Sequence, residues 1–380
     1  RGIPFSMGYV LISFLSWLIL RFLVLRRLPC GRPARTVLSC LFFLPILYYA
    51  YLQASCFIVL PEPSFGTAIL MGAWCGTVLI AAPPASAGVL CLMRFGRKKS
   101  MRRVGAGACL IFSLFFSSVL VLCGLREGLS VPSVQEVSVN LPAGCDALDG
   151  IRMAVISDLH LGCATPPGWL EETLRRIKEA RADIILLDGD LSDGRPEDRR
   201  SDLARLGTLE APFGVWAVPG NYEYYVDYAG IMAALPDSVH VLANSHARLR
   251  TSLGTFVLAG VTDRKARARG LPGPDIEKAL SGLSGDGAIG PVLLMSHRPA
   301  GWSRNAARGV VLQICGHTHG GQFIWNRLFL RLIGRRYLHG LFERNSSLLW
   351  VGSGASQWFG FPLRVGVPPE IAVLNLHAGS

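Results

Sequence analysis

Four apolar runs fill most of the first 125 residues, at 3–20, 37–60, 65–93 and 104–125. Each approaches or exceeds the roughly 20 residues that a helix needs to cross the hydrocarbon of a bilayer. Inside lipid a backbone must satisfy its own hydrogen bonds, so the runs predict helices, and a four-helix transmembrane anchor over residues 1–130. Composition agrees, with 51% hydrophobic residues and a mean hydropathy of +0.38. Pro45 falls in the second run and Pro83-Pro84 in the third, where the pair is expected to kink or break the helix. The sequence begins at Arg1 without an initiator methionine, so a further N-terminal piece is expected. A cleaved signal peptide is not expected, because several spans follow the first.

The net charge of +12 belongs to this anchor. Residues 1–130 hold thirteen Lys/Arg against two acids, whereas the rest holds 25 against 24. Nucleic-acid binding would need a basic face on the soluble part, and none is expected. The bases cluster in two connections: Arg21, Arg26, Arg27, Arg32 and Arg35, then Arg94, Arg97, Lys98, Lys99, Arg102 and Arg103. The intervening loop, Pro61-Glu62-Pro63-Ser64, has no base. By the positive-inside rule the basic connections are cytoplasmic, and the soluble domain after the last span is expected on the extracytoplasmic side. The spans carry almost no interior charge, so an anchor is expected and not a transport path. Of ten cysteines only Cys145, Cys163 and Cys315 lie beyond the spans, and no Cys-x-x-Cys occurs, so the cysteines read as packing residues.

After a connector at 131–149, which contains a strand-like stretch at 136–141, the soluble part reads as alternating strands and helices. The first strand runs from Met153 into Asp158-Leu159-His160, and residues i and i+2 at a strand end can reach one point. An amphipathic helix follows at 169–180, then a strand at 183–187 running into Asp188-Gly189-Asp190-Leu191-Ser192-Asp193. A strand at 215–218 leads to Gly220-Asn221-Tyr222-Glu223, and 225–235 reads as helix. Segments 239–242, 247–251 and 256–261 read as strands of a second sheet. Strands at 292–295 and 310–314 end in Ser296-His297-Arg298 and Gly316-His317-Thr318-His319-Gly320-Gly321, and strands at 348–351 and 371–376 follow. Five strands therefore end in polar clusters, which predicts an α/β layered fold with its site at one rim of the sheets.

Taken singly these residues are ordinary: a core histidine at His297, a turn pair at Gly189-Asp190. Taken in order, the Asp158/His160, Asp190/Asp193, Asn221, His297 and His317/His319 motifs resemble those of calcineurin-like metallophosphoesterases. The Gly-His-Thr-His-Gly-Gly-Gln322 ending, Arg364, Pro369-Glu370 and the preceding spans resemble its membrane-anchored branch, over about residues 150–376. The resemblance implies an α/β/β/α domain over 150–380 and two divalent metals, Mn²⁺ first among candidates that include Fe, Zn and Mg. It implies Asp158, His160, Asp190 and His319 on one metal and Asp190, Asn221, His297 and His317 on the other. Asp190 would bridge two cations roughly 3.5–4 Å apart, and a hydroxide shared by both would attack phosphorus in line. Asp193 is expected to orient a ligand, with capping of the next helix as the alternative, and Glu223 to act behind the ligands.

One position departs from the pattern. The family usually carries a histidine after Gly-Asn to protonate the leaving group, and here Tyr222 stands there. A phenol with an ordinary pKa near 10 donates a proton poorly at neutral pH. The chain is therefore expected to favour good leaving groups or to be slow; the alternative is that His246 folds in from the second sheet as a substitute donor. Gly285-Asp286-Gly287-Ala288-Ile289-Gly290 matches a dinucleotide fingerprint but precedes a strand, which fails that reading. Asn345-Ser346-Ser347 is a glycosylation sequon.

Segment 323–342 mixes Trp325, Leu328, Phe329, Leu332 and Ile333 with Arg327, Arg331, Arg335 and Arg336. With Trp358-Phe359-Gly360-Phe361 it reads either as a lip between bilayer and metals or as core packing with a solvated basic face. The expected function is hydrolysis of a phosphoester, with a lipid-linked one suggested by that lip. The partners expected are the bilayer and this substrate, with no obligate protein partner. The alternatives are a metal-binding sensor of weak activity and a cytoplasm-facing lipid-nucleotide pyrophosphatase.

Overall fold

A computed structural model describes residues 5–57, 61–96, 98–283, 290–344, 346–357 and 361–379. The dinucleotide-like motif except Gly290, the sequon Asn345 and the aromatic pair Trp358-Phe359 lie outside them. The chain divides into two compact units, one of Arg1–Arg126 with Gly360–Leu363, the other of Glu127–Phe359 with Arg364–Ser380.

The first unit is helical. Among the described residues three helices are long and apolar enough to cross a membrane, not four. They are α2 (Arg32–Phe57), α3 (Phe65–Phe95) and α4 (Lys99–Gly128). The helix at the start, α1 (Phe5–Ile19), has 15 described residues, fewer than each of these three. It gives way to a π-helical turn, Leu20–Val24. Helix α3 runs unbroken through Pro83 and Pro84. Small, buried neighbours Ala81, Ala82 and Ala85 surround the pair.

The second unit stacks two six-stranded sheets. The first follows the order β1 (Ser133–Ala143), β12 (Glu370–Gly379), β2 (Arg152–Ile156), β3 (Ile184–Asp188), β4 (Val215–Val218) and β5 (Val239–Val241). Strands β2 to β5 are mutually parallel. Segment 239–242, expected in the second sheet, is thus the edge of the first, with Val239 in register with Val215. Its three residues offer no pattern to assign it. The second sheet contains β6 (Ser245–Thr251), β7 (Gly254–Gly260), β8 (Val292–Met295), β9 (Val310–Cys315), β10 (Gly340–Arg344) and β11 (Ser347–Val351), ordered β10-β11-β9-β8-β7-β6.

Strand alternation sorts the core into layers. Met153, Val155, Ile184 and Leu186 meet Leu293, Met295, Leu312 and Ile314 between the sheets. Ala154, Ile156, Ile185 and Leu187 turn outward onto a helix layer that includes α5 (Trp169–Glu179), through Trp169, Leu174 and Ile177, and α6 (Pro196–Arg205), through Leu203. The expected helix at 225–235 is the shorter α8 (Tyr228–Ala234), which Asp227 caps by accepting from Gly230 N–H at 3.0 Å, and a separate short helix, α7 (Asn221–Tyr225), precedes it. Short helices α9 (Ile276–Ala279) and α10 (Trp302–Ala306) cover the second sheet. Because β2, β3 and β4 are parallel in one sheet and β8 and β9 in the other, their carboxyl ends gather polar residues at a shared rim.

Candidate metal centre

Two groups of side chains converge at that rim. Ligand atoms of Asp158, His160 and His319 lie within 4.8 Å of one another, as do those of Asp190, His297 and His317. Asp190 stands between the groups: its Oδ2 is 3.1 Å from His297 Nε2 and 3.7 Å from His160 Nε2. His319 Nε2 approaches Asp158 Oδ1 at 3.3 Å. Asp158, His160, Asp190 and His297 are all buried.

The route to this convergence is not the strand pleat. β2 ends at Ile156, and Asp158 and His160 take left-handed φ values of 55° and 42°. Asp190, His317 and His319 do so at 50°, 67° and 47°. Such conformations cost on the order of 1–3 kcal/mol each and persist only where the surroundings enforce them. Here the loops enforce them mutually. His160 N–H donates to the Asp190 carbonyl at 2.9 Å and Asp158 N–H to that of Gly189 at 3.1 Å. Leu159 and Leu161 are buried in the helix-side core, which leaves Asp158 and His160 facing the rim. Glu223 stitches a third loop to these, accepting from Gly220, Asp190 and Leu191 N–H at 2.7, 3.1 and 2.7 Å. A Cβ on Gly189 would sit 2.7 Å from both Gly220 Cα and His297 Nδ1, so glycine alone lets the β3 and β4 loops touch.

The histidines are oriented from behind. Nδ1 of His160 pairs with Asp193 Oδ1 at 2.7 Å, that of His297 with the Asp188 carbonyl at 2.7 Å, and that of His319 with the Ser356 carbonyl at 3.1 Å. Asp193 is thereby engaged with His160, and α6 begins without a side-chain cap. With Nδ1 occupied, Nε2 is the free face of each ring. Nε2 of both His160 and His297 is buried without a hydrogen-bond partner. Orphaned buried nitrogens facing carboxylates fit a divalent cation.

Electrostatics point the same way. Burial works against the Asp158 and Asp190 carboxylates, yet the imidazoles around them, His319 first for Asp158 and His297 first for Asp190, hold both well below the usual range. Burial disfavours a charged His160 too, but Asp193, Asp190 and Asp158 push it up to about 9, and His297 rises likewise beside Asp190. His317 and His319 shift down through burial, His317 further through Arg298. Burial raises Asp188 to about 8 and, with Asp190, Glu223 to about 7.

Arg298 escaped the sequence reading. Its guanidinium donates to Asn221 Oδ1 at 2.6 Å, touches His317 Nε2, and is held from behind by the buried Asp263. The only sequence signal was its place beside His297. Arg364, fully buried, binds the carbonyls of Ser353 at 2.8 Å and of Ser356, and so fixes the turn that orients His319.

Tyr222 packs edge-on against His160, ring centroids 4.7 Å apart, and its N–H donates to Asp190 Oδ1 at 2.8 Å. His246 is not brought to the site; its Nδ1 pairs with the Ala279 carbonyl at 2.7 Å beside α9. Arg331, Arg335 and Arg336 lie exposed on and after α11 (Ile324–Leu332), the helix that follows the His317/His319 loop.

The calcineurin-like phosphoesterase family model matches residues 151–321. An "uncharacterized metallophosphoesterase" of Helicobacter pylori is 34% identical over 257 residues, which is 67% of this chain and 66% of that protein. A "transmembrane protein with metallophosphoesterase domain" of Danio rerio is 28% identical over 302 residues, 75% of this chain and 68% of that protein. Its namesake in Bos taurus is 29% identical over 279 residues, 70% of this chain and 62% of that protein. The chain thus spans just under two thirds of the Helicobacter relative. Residues 151–321 belong to the calcineurin-like metallophosphoesterase family.

Proposed function

We propose that the chain is a membrane-anchored, dinuclear metal-dependent phosphoesterase, a phosphodiesterase or pyrophosphatase. The observation that carries this reading is the position of Asp190, whose Oδ2 faces a histidine of each cluster. A single carboxylate so placed fits a bridge between two cations. The mixed carboxylate, imidazole and Asn221 amide donors suit Mn²⁺ best, with Fe, Zn and Mg as alternatives. When bound, such a pair supplies water of lowered pKa and neutralises phosphoryl oxygens.

The residues of this chain supply the remainder. Asp193 and the carbonyls of Asp188 and Ser356 fix three imidazole rings with Nε2 inward. Arg298 sets a fixed positive charge beside Asn221 and His317, suited to a phosphoryl oxygen. Hydrolysis joins a water oxygen to phosphorus and breaks the bond to the leaving oxygen, which takes up a proton. Tyr222, against His160, is the donor at hand, and its phenol suits leaving groups that need little help.

The domain is proposed to lie outside the cytoplasm. Basic residues flank the start of α2 and the turn between α3 and α4, so three crossings from the basic side carry the chain to the opposite face whether or not α1 also spans. A cysteine at exposed Leu253 (Leu253→Cys) should react with a membrane-impermeant maleimide in intact cells beyond the parent's labelling; protection until lysis would place the domain inside.

Turnover of bis(p-nitrophenyl) phosphate by the purified full chain with Mn²⁺ tests the function. Asp190→Asn should lower it by more than about 10²-fold, beyond what residues behind the ligands are worth. Tyr222 also supports a second reading, a metal-binding sensor of weak activity. Metal binding without turnover of this activated diester would favour that reading and overturn the first.

A further inference from the structure

Helix α11 breaks the usual rule for a surface helix. Trp325, Leu328, Phe329 and Leu332 follow the i, i+3, i+4, i+7 spacing that normally turns an apolar stripe to the core. Here that stripe faces outward, with Leu328 56%, Phe329 57% and Leu332 85% exposed, and no residue of the helix is buried. Ile324 and Ile333 extend the patch. Among the described residues of the phosphoesterase unit, nine large apolar side chains are exposed, and six of them lie between Ile324 and Ile333. A soluble surface does not concentrate them so without an occupant.

Charge identifies the occupant. Arg331, Arg335 and Arg336 are exposed around the stripe, and none pairs with a carboxylate among the described residues. Aromatic and leucine side chains rimmed by arginine match the boundary between acyl chains and anionic headgroups. The same chain has three helices fit to cross a bilayer, so that surface is always at hand.

The helix is also fastened to the metal-ligand loop. It starts five residues after His319, Asn326 Nδ2 donates to the Gly321 carbonyl at 2.9 Å, and a Cβ on Gly321 would sit 3.0 Å from Arg327 Cα. Ile324 N–H and Val365 N–H exchange bonds with Val365 and Gln322 carbonyls, tying the helix to the turn after Arg364. A surface that receives α11 therefore lies beside the ligand loop, which these contacts hold in place without it.

We propose that α11 and the turn through Arg336 lie in the interface of an anionic bilayer and present the metal site to a phosphoester carried on a lipid. The substrate half of this statement rests on the phosphoesterase reading above; the docking half does not.

The test uses the full chain reconstituted in phosphatidylcholine vesicles containing phosphatidylglycerol. Brominated lipids should quench a component of tryptophan emission that Trp325→Phe removes. Leu328→Ser with Leu332→Ser should abolish that component. Arg331→Gln, Arg335→Gln and Arg336→Gln should each weaken it about fivefold in anionic vesicles, from ~1 kcal/mol per basic residue, and not in zwitterionic ones. The Leu328/Leu332 variant should keep its rate on bis(p-nitrophenyl) phosphate and lose at least tenfold on a fluorogenic phosphoester embedded in the vesicle. An unquenched Trp325 overturns the proposal, as does concentration-dependent dimerisation that the same substitutions abolish. Equal rates of parent and variant on the embedded substrate overturn the substrate half. Absence of turnover on both substrates with Trp325 still quenched defeats the phosphoesterase reading and leaves the interface helix standing.

Discussion

Oδ1 of Asp193 lies 2.7 Å from Nδ1 of His160, and the pair is buried. This contact fixes the ring so that Nε2 faces Asp158 and Asp190 at 3.9 and 3.7 Å. Asp193→Asn should keep the fold and weaken metal binding about 10–100-fold, the usual effect of removing a partner behind a ligating histidine. A competition titration against a fluorescent chelator measures it, and unchanged affinity would detach Asp193 from the site.

The same carboxylates impose a pH dependence. In chelated protein the carboxylates raise His160 to about 9 and raise His297 as well, so both favour a proton that a metal must displace. Metal binding should release protons at pH 7, fewer as the pH approaches 9, and apparent affinity should rise with pH across that window. Calorimetry in buffers of differing ionisation enthalpy counts the protons. For the metal-free protein the sign is opposite. A raised histidine pKa adds stability that is full below pH 6.5 and is lost as pH climbs through about 9.

Tyr222 replaces the expected proton donor, and its ring already rests on His160. Tyr222→His should accelerate alkyl phosphodiesters, whose leaving groups need a proton, by up to about 10²–10⁴-fold. Nitrophenyl diesters should change little. Equal acceleration of both classes would show that the leaving group is not what limits the parent.

Arg298 occupies the lone pairs of Asn221 and His317, both proposed ligands of one metal. Removing the guanidinium by Arg298→Gln should tighten the second metal equivalent roughly tenfold, since a charge-assisted hydrogen bond no longer competes, while KM for the phosphoester rises. A two-step metal titration followed by steady-state kinetics separates the effects.

At Gly316 a Cβ would lie 2.5 Å from Asp158 Oδ2. Gly316→Ala should cost about 1–3 kcal/mol of stability through overpacking and should loosen the Asp158 cluster. Chemical denaturation of the chelated domain transition reads the first effect, and metal stoichiometry the second.

The rim was legible because parallel strands send their carboxyl ends the same way, and Asp158, Asp190, Asn221, His297 and His317 each follow one. What brings these side chains together was hidden. Left-handed turns at Asp158 and His160, not the pleat, aim those side chains, and only the tolerance of Asp and His for such φ values hinted at it. Arg298 was invisible because a lone arginine carries no spacing signal; its role appears only when Asp263, Asn221 and His317 surround it. The first apolar run, at 3–20, matches α1 up to Ile19, and hydropathy does not register the π geometry that follows at Leu20. The stripe on α11 had a period that fits either core or lipid, and periodicity cannot say which way a helix is turned.

Metal stoichiometry of the purified full chain, parent against Asp190→Asn, tests the dinuclear centre most directly. After loading with Mn²⁺ and desalting, elemental analysis should find two equivalents in the parent and fewer than one in the variant, because both clusters face that carboxylate. Two equivalents retained by the variant, or none bound by the parent, would contradict the account.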